Sequence, residues 1–308
     1  MKSVLIAGAT GYVGSVMSDT LINEGYSVTG LDARPANRDD IDFIQADITK
    51  PADLFEKLEG KKFDWIFHLA SLPSDTGDIE QMFSVNAAGT LNLLNWARLN
   101  KPEMMVMASS MSAYGWYPPT KFDPPLYMPV DEKHVCRTKD MYSSTKLIQE
   151  VLATTFYHQF GLNIAIIRLV GVIGPRGGGG GSGYLDMARQ MKEGTKIKIP
   201  LYYEDDINHF VDIRDVARQF IATAKCDKSA GEIFVCCGPS PVTRNEYEAL
   251  INDIVPGAKV EYGYPGDNIQ KRRLVFTCEK AKRIIGFEPL YDMRASLQSI
   301  KDWADESL

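Results

Sequence analysis

The sequence predicts an α/β protein in which a large doubly wound parallel sheet carries a smaller α/β lobe. Three features point there: short apolar runs alternate with helical patterns, the runs are continuously apolar, and the first ends in a glycine-rich turn that opens a helix. Continuous apolar strands are buried on both faces, and strand-helix alternation implies right-handed crossovers between parallel strands. The 308 residues, with 44% hydrophobic residues and a net charge of −6, can build an ample core. That charge offers no basic groove for nucleic acid. No run approaches the roughly 18 apolar residues of a membrane span, and the first run ends in glycines rather than a cleavage signal. Cys136, Cys226, Cys236, Cys237 and Cys278 are odd in number and lack C-x-x-C spacing, so they read as reduced thiols of a cytoplasmic protein. The four histidines lie far apart, and no metal is expected.

Taken in order, "SVLIAGA", "SVTGLD", "DIDFIQADI", "DWIFHLA", "MMVMASS" and "NIAIIRLVGVIGP" read as strands. Between them, "GSVMSDTLINEG", "ADLFEKLEG", "MFSVNAAGTLNLLNWARL" and "SSTKLIQEVLATTFYHQFG" read as helices. Beyond "GPRGGGGGSG" the rhythm changes. "FVDIRDVARQFIATAK" is a strand turning into a helix that returns to the first sheet, "GEIFVCC" is a strand, and Thr243 with Glu246 forms a capping box that starts another helix. The division is therefore 1–174, with 209–237 returning to it, and a smaller lobe from 175–208 and 238–308 placed at the strand ends, where such sheets bind ligands. Gly177 to Gly181 read as a mobile loop beside the site rather than a linker.

"GATGYVG" puts Gly8, Gly11 and Gly14 between a strand and a helix. In that context glycines permit a tight turn, close approach of backbone to a pyrophosphate, and close packing of helix on strand, with the helix N-terminus facing the phosphates. Asp32 ends the second strand about 20 residues on, where a carboxylate accepts both ribose hydroxyls. The sheet is thus Rossmann-like, and the cofactor expected is NAD. Arg34 and Arg38 keep NADP open, since a guanidinium there pairs with an extra phosphate.

Two segments have Tyr-x-x-x-Lys spacing: Tyr117 to Lys121 and Tyr142 to Lys146. Pro118 and Pro119 oppose helix in the first. The second opens a long amphipathic helix, so its two side chains share one face. A phenol loses its proton near pH ~10, and a neighbouring ammonium and a cationic nicotinamide both favour the phenolate. Tyr142 then serves as the base that deprotonates a substrate hydroxyl as hydride leaves the carbon.

The G-x-x-G-x-x-G turn, "ADI", "HLAS", "NAAGTLNLL", "ASSMSAYG", "PVDE", Tyr-x-x-x-Lys, "GPRG" and "PGD", in that order, resemble the extended short-chain dehydrogenase/reductases, the NAD-dependent epimerase/dehydratase family, over nearly the whole chain. The resemblance implies Tyr142, Lys146 and Ser110 as catalytic residues. It implies cofactor contacts from Gly8, Thr10, Gly11, Tyr12, Val13, Gly14, Asp32, Arg34, Asp47 and Ile48. Further contacts would come from Leu69, Ala70, Ser71, Asn86, Ala108, Ser109, Leu169 and Val172, with Tyr142 and Lys146 also on the cofactor. Ser112, Gly171, Arg176, Asn208 and Arg272 fall toward the substrate. A homodimer is implied through the "NLLNWARL" and Tyr142 helices.

The resemblance implies oxidation of a secondary hydroxyl of a sugar-type substrate, with several net reactions open. Met111 and Ser112 stand where the family's sugar dehydratases carry Asp and Glu, which disfavours dehydration. A nucleotide-sugar epimerase is the first reading. Gly171 replaces the Asn of R-x-x-N-V-x-G-P, and Asn208 and His209 replace an Arg-Asp pair, which keeps open a dehydrogenase of a free sugar, sugar acid or hydroxy acid. "ASSMSAYGWYP" also resembles the uronate dehydrogenases, with Trp116 and Tyr117 either lining a substrate wall or packing. A non-catalytic NAD-binding sensor is a third possibility.

Overall fold

A computed structural model describes residues 1–36, 38–73, 78–115, 125–176, 182–199, 206–262 and 273–308. The Tyr117 and Lys121 pair, Trp116, the Gly177 to Gly181 run and Arg272 lie outside them. The chain starts with β1 (Ser3–Ala7), α1 (Tyr12–Asn23), β2 (Ser27–Asp32), β3 (Asp42–Gln45), α2 (Pro51–Lys57) and β4 (Trp65–His68). Then follow α3 (Ile79–Phe83), a π-helical stretch Ser84–Gly89, α4 (Thr90–Asn100), β5 (Met104–Ser110), a 3-10 turn Met111–Tyr114, α5 (Met141–Phe160) and β6 (Ile164–Leu169).

Together with β11 (Ile233–Cys236), six of these strands form a parallel seven-stranded sheet in the order β11-β6-β5-β4-β1-β2-β3. The order reverses between β1 and β4, so the crevice above the carboxyl ends of those strands opens there. Central strands are buried throughout, as their unbroken apolar runs require: Val4 to Ala7 and Trp65 to His68 are all at most 3% exposed. One apolar layer joins β1 and β4 to α1 and α7 (Ile213–Lys225), through Met17, Leu21, Phe67 and Phe220. The opposite layer joins Leu5 and Ile66 to Leu93, Leu94 and Trp96 of α4 and Phe156 of α5.

Several elements differ from their sequence reading. The strand ending in Gly174 is two strands: after Val170 the chain continues as β7 (Gly171–Ile173), which pairs in parallel with β10 (Phe210–Asp212) instead of joining the main sheet. The returning "FVD" therefore lies beside β7, while α7 after it packs on the main sheet. The long helix around Asn86 is interrupted by the π-helical stretch, a form concentrated at functional sites.

The lobe is built from α6 (Ser182–Glu193), β8 (Lys196–Ile199), β9 (Ile207–Asn208), β12 (Val242–Thr243), α8 (Arg244–Ile254), β13 (Lys259–Tyr262) and α10 (Met293–Ser307), whereas α9 (Glu279–Ile285), read as part of it, packs beside β11 with Ala281 and Phe287 in the apolar layer of the main sheet. Met187, Met191, Tyr247, Ile251, Leu297 and Ile300 form its own apolar cluster. The capping box at α8 is present, with Thr243 Oγ1 accepting from the Glu246 N–H and the Glu246 carboxylate accepting from the Thr243 N–H. Among the described residues, no helix is long and apolar enough to cross a membrane.

Candidate active site

A cleft of about 1210 Å³ runs along the carboxyl ends of the central strands. At one end is the turn after β1. Gly8 has φ +91°, and a Cβ on it would lie 2.6 Å from the Ala70 nitrogen. On Gly14 a Cβ would lie 2.2 Å from the Gly8 carbonyl oxygen. These two glycines let the turn sit against the β4 loop and let α1 pack onto β1. Gly11 presents bare backbone to the cleft, and Tyr12 and Val13 complete this wall.

Asp32, 9% exposed at the end of β2, accepts from the Thr10 N–H at 3.2 Å and from the Arg34 N–H at 3.1 Å. The Arg34 guanidinium caps both carboxylate oxygens at 3.2 Å. Burial opposes ionisation of Asp32, but hydrogen bonds and charge from Arg34 outweigh it and hold the carboxyl below its usual range. Arg38 is occupied differently, paired with Asp19 at 2.8 Å and Asp40 at 2.5 Å. Asp47, Ile48 and Thr49 continue the wall, and Leu69, Ala70 and Ser71 close it from β4. Bare glycine backbone at a helix N-terminus with a carboxylate across from it fits a dinucleotide.

At the other end, Asp140 caps α5, accepting from the Ser143 N–H at 2.8 Å and the Ser143 hydroxyl at 2.6 Å. Tyr142 thus stands in the helix's first turn, where the macrodipole favours negative charge. Lys146, one turn on, is 4% exposed, donates to the Ala108 carbonyl at 3.2 Å, and lies 5.9 Å from the Tyr142 ring centre. Burial pulls the Lys146 ammonium down to about 8, with Glu150 acting against it. Ser110 ends β5 and faces the same cleft. Its hydroxyl donates to Ser112 Oγ and accepts from the Ser112 N–H, both at 3.1 Å. Ser112, 1% exposed, therefore orients Ser110. Leu169, Gly171 and Val172 complete this end.

Four residues sit differently from their sequence reading. Asn86 is fully buried behind the wall. Its amide oxygen accepts from the Leu72 N–H at 2.7 Å, and its NH2 donates to Thr145 Oγ1 at 3.1 Å, tying the β4 loop to α5. Thr10 meets Asp32 through its backbone and is not on the wall. Ser109 keeps its place on the cleft wall, 3% exposed, with its hydroxyl donated to Glu150 at 2.5 Å. Arg176, at φ +70°, pairs with Asp19 on α1 at 2.6 Å. Asn208 is 6% exposed, pairs with Val242 across β9 and β12, and does not line the cleft. Residues that the sequence reading missed include Asp78, Glu80, Gln81 and Ser84, brought to the rim by α3, its cap and the start of the π-helical stretch. No motif marked that short helix.

The profile described as the NAD dependent epimerase/dehydratase family matches residues 4–237. The chain belongs to that family. Among family relatives, a UDP-glucose 4-epimerase of Mycolicibacterium smegmatis is 28% identical, covering 92% of this chain and 93% of its own. A UDP-glucuronic acid 4-epimerase from Bacillus cereus in complex with NAD superposes with a TM-score of 0.80 at 23% identity, covering 99% of each chain. A UDP-glucose 4-epimerase from Thermotoga maritima with UDP-glucose gives 0.84 at 21%, again covering 99% of each. Both structural likenesses establish the fold.

Proposed function

We propose that this protein binds NAD and oxidises a secondary hydroxyl of a sugar-type substrate, and that its net reaction is epimerisation of a nucleotide-linked sugar. The observation that carries the reading is one continuous cleft with Asp32 and the glycine turn at one end and Tyr142, Lys146 and Ser110 at the other. The glycine turn would hold a pyrophosphate, Asp32 a ribose, and Lys146 a second ribose. NAD, when bound, supplies the hydride acceptor and, in an epimerase, the donor that returns it. Tyr142 takes the proton from the substrate hydroxyl, the Lys146 ammonium stabilises the resulting phenolate, and Ser110 hydrogen-bonds the substrate oxygen. NAD is favoured over NADP because Arg38 is already held by two carboxylates and Arg34 by Asp32. Full-length relatives named as UDP-glucose and UDP-glucuronate 4-epimerases support the nucleotide sugar.

A second reading, an NAD-dependent dehydrogenase of a free sugar or sugar acid, is favoured by the far wall. Gly171 is covered by Phe210, whose Cδ1 would lie 3.0 Å from any Cβ there, and Arg176 is committed to Asp19. We also propose a homodimer through the adjacent helices α4 and α5, which expose Leu91, Leu99, Val151 and Phe160.

Incubation with NAD+ and a panel of UDP-sugars, free sugars and uronates separates these readings. Altered sugar without accumulated NADH is the expected result. Lasting NADH replaces the epimerase with the dehydrogenase, and NAD binding without turnover on any substrate replaces both with a sensor.

A further inference from the structure

Beneath Lys146 lies a buried charge cluster that neither cofactor nor substrate explains. Glu150 follows Lys146 by one helical turn on the same face of α5 and is 3% exposed. Its carboxylate accepts from Arg168 Nε at 2.9 Å, from Arg168 Nη2 at 2.7 Å and from the Ser109 hydroxyl at 2.5 Å. Arg168, itself 4% exposed, also donates to the Glu132 carbonyl at 3.2 Å and lies over the Tyr114 ring at 4.6 Å.

A buried ion pair rarely repays its desolvation, and an apolar pair of similar volume serves stability as well. The placement of this pair is more informative. Ala108, Ser109 and Ser110 are consecutive on β5: the first accepts from Lys146, the second donates to Glu150, and the third faces the cleft. Arg168 precedes Leu169 of the cleft wall on β6. Glu150 therefore joins the three elements that carry the working groups.

We propose, building on the Tyr142 and Lys146 reading above, that Glu150 is a positioning residue: held by Arg168 and Ser109, it fixes the α5 face against β5 and sets its carboxylate under the Lys146 ammonium. Among the described residues, few other charges face that ammonium. From α5 come Tyr142 and Glu150. His68 on β4 is 1% exposed and is kept neutral by burial and by Lys146, at about 3. From β6 comes Arg168, whose charge is spent on Glu150. β5 contributes a carbonyl and a hydroxyl. Glu150 is thus the one anion among these groups that offsets the burial of Lys146.

Glu150→Gln keeps the shape and removes the charge. On folded protein the expected result is a kcat at least tenfold lower with substrate KM within about threefold. The alkaline limb of the kcat/KM profile should move to lower pH, because an unassisted buried ammonium loses its proton sooner. The Lys146 side-chain carbon resonance, titrated by NMR without cofactor or substrate, should show the same downward shift. If the variant does not fold, Glu150→Gln/Arg168→Gln, whose amides can hydrogen-bond without charge, takes its place with the same expectation. Folded variant with kcat within twofold of the parent and an unmoved Lys146 titration would overturn the proposal. Because the titration needs no turnover, an active Tyr142→Phe would refute the catalytic reading separately from the role of Glu150.

Discussion

Tyr142 and Lys146 divide the work in a way single substitutions can separate. Tyr142→Phe removes only a hydroxyl, so turnover should fall by about 10² or more while NAD affinity stays within a few-fold, checked by steady-state assay and fluorescence titration. His68 gives a stability test. Its Nε2 meets the Thr90 hydroxyl at 2.8 Å, and the folded protein holds it neutral down to about pH 3, against 6.5 in an unfolded chain. Between these values the unfolded state binds more protons, so this contribution is full above pH 6.5 and is lost as pH falls toward 3. A His68→Asn variant should show a shallower decline of stability across that window in denaturant titrations, and an unchanged slope refutes the assignment. At this scale the sequence exposed residues whose function follows from local spacing: the glycines, Asp32 and the tyrosine pair. It hid the partners of Asn86, Ser109 and Arg176, because Thr145, Glu150 and Asp19 are brought to them only by tertiary packing.

The contact of α1 with β1 depends on Gly14. A side chain there must displace the Gly8 carbonyl or the Ala9 backbone, so Gly14→Val should cost about 1–3 kcal/mol and abolish NAD binding, measured by thermal melting and titration. Thr243→Ala, by contrast, removes one cap far from the cleft and should cost about 1 kcal/mol, lowering Tm by about 2 °C with activity intact. The central strands were legible because burial on both faces leaves an unbroken apolar run. The break at Val170 was not, since β6 and β7 are both apolar and differ only in their hydrogen-bonding partners, β5 and β11 against β10. The π-helical stretch escaped for a related reason: its residues keep a helical pattern, and only the register of backbone bonds changes.

For the whole molecule, the apolar residues on α4 and α5 give the dimer a direct test. Leu99→Glu with Val151→Glu should halve the mass measured by light scattering while leaving NAD binding in place; an unchanged mass would place the contact elsewhere. Another whole-molecule property rests on His209. Its imidazole donates from Nε2 to the Gly238 carbonyl at 2.9 Å and accepts at Nδ1 from the Phe276 N–H at 3.1 Å, so one ring fastens three distant stretches of chain. Alongside it, Asp215 accepts from the N–H groups of Leu290 and Tyr291. Recombining this protein with a relative by a single crossover would sever those links, so any chimera made to change its substrate must exchange the segments around residues 209, 238, 276 and 290 as a set.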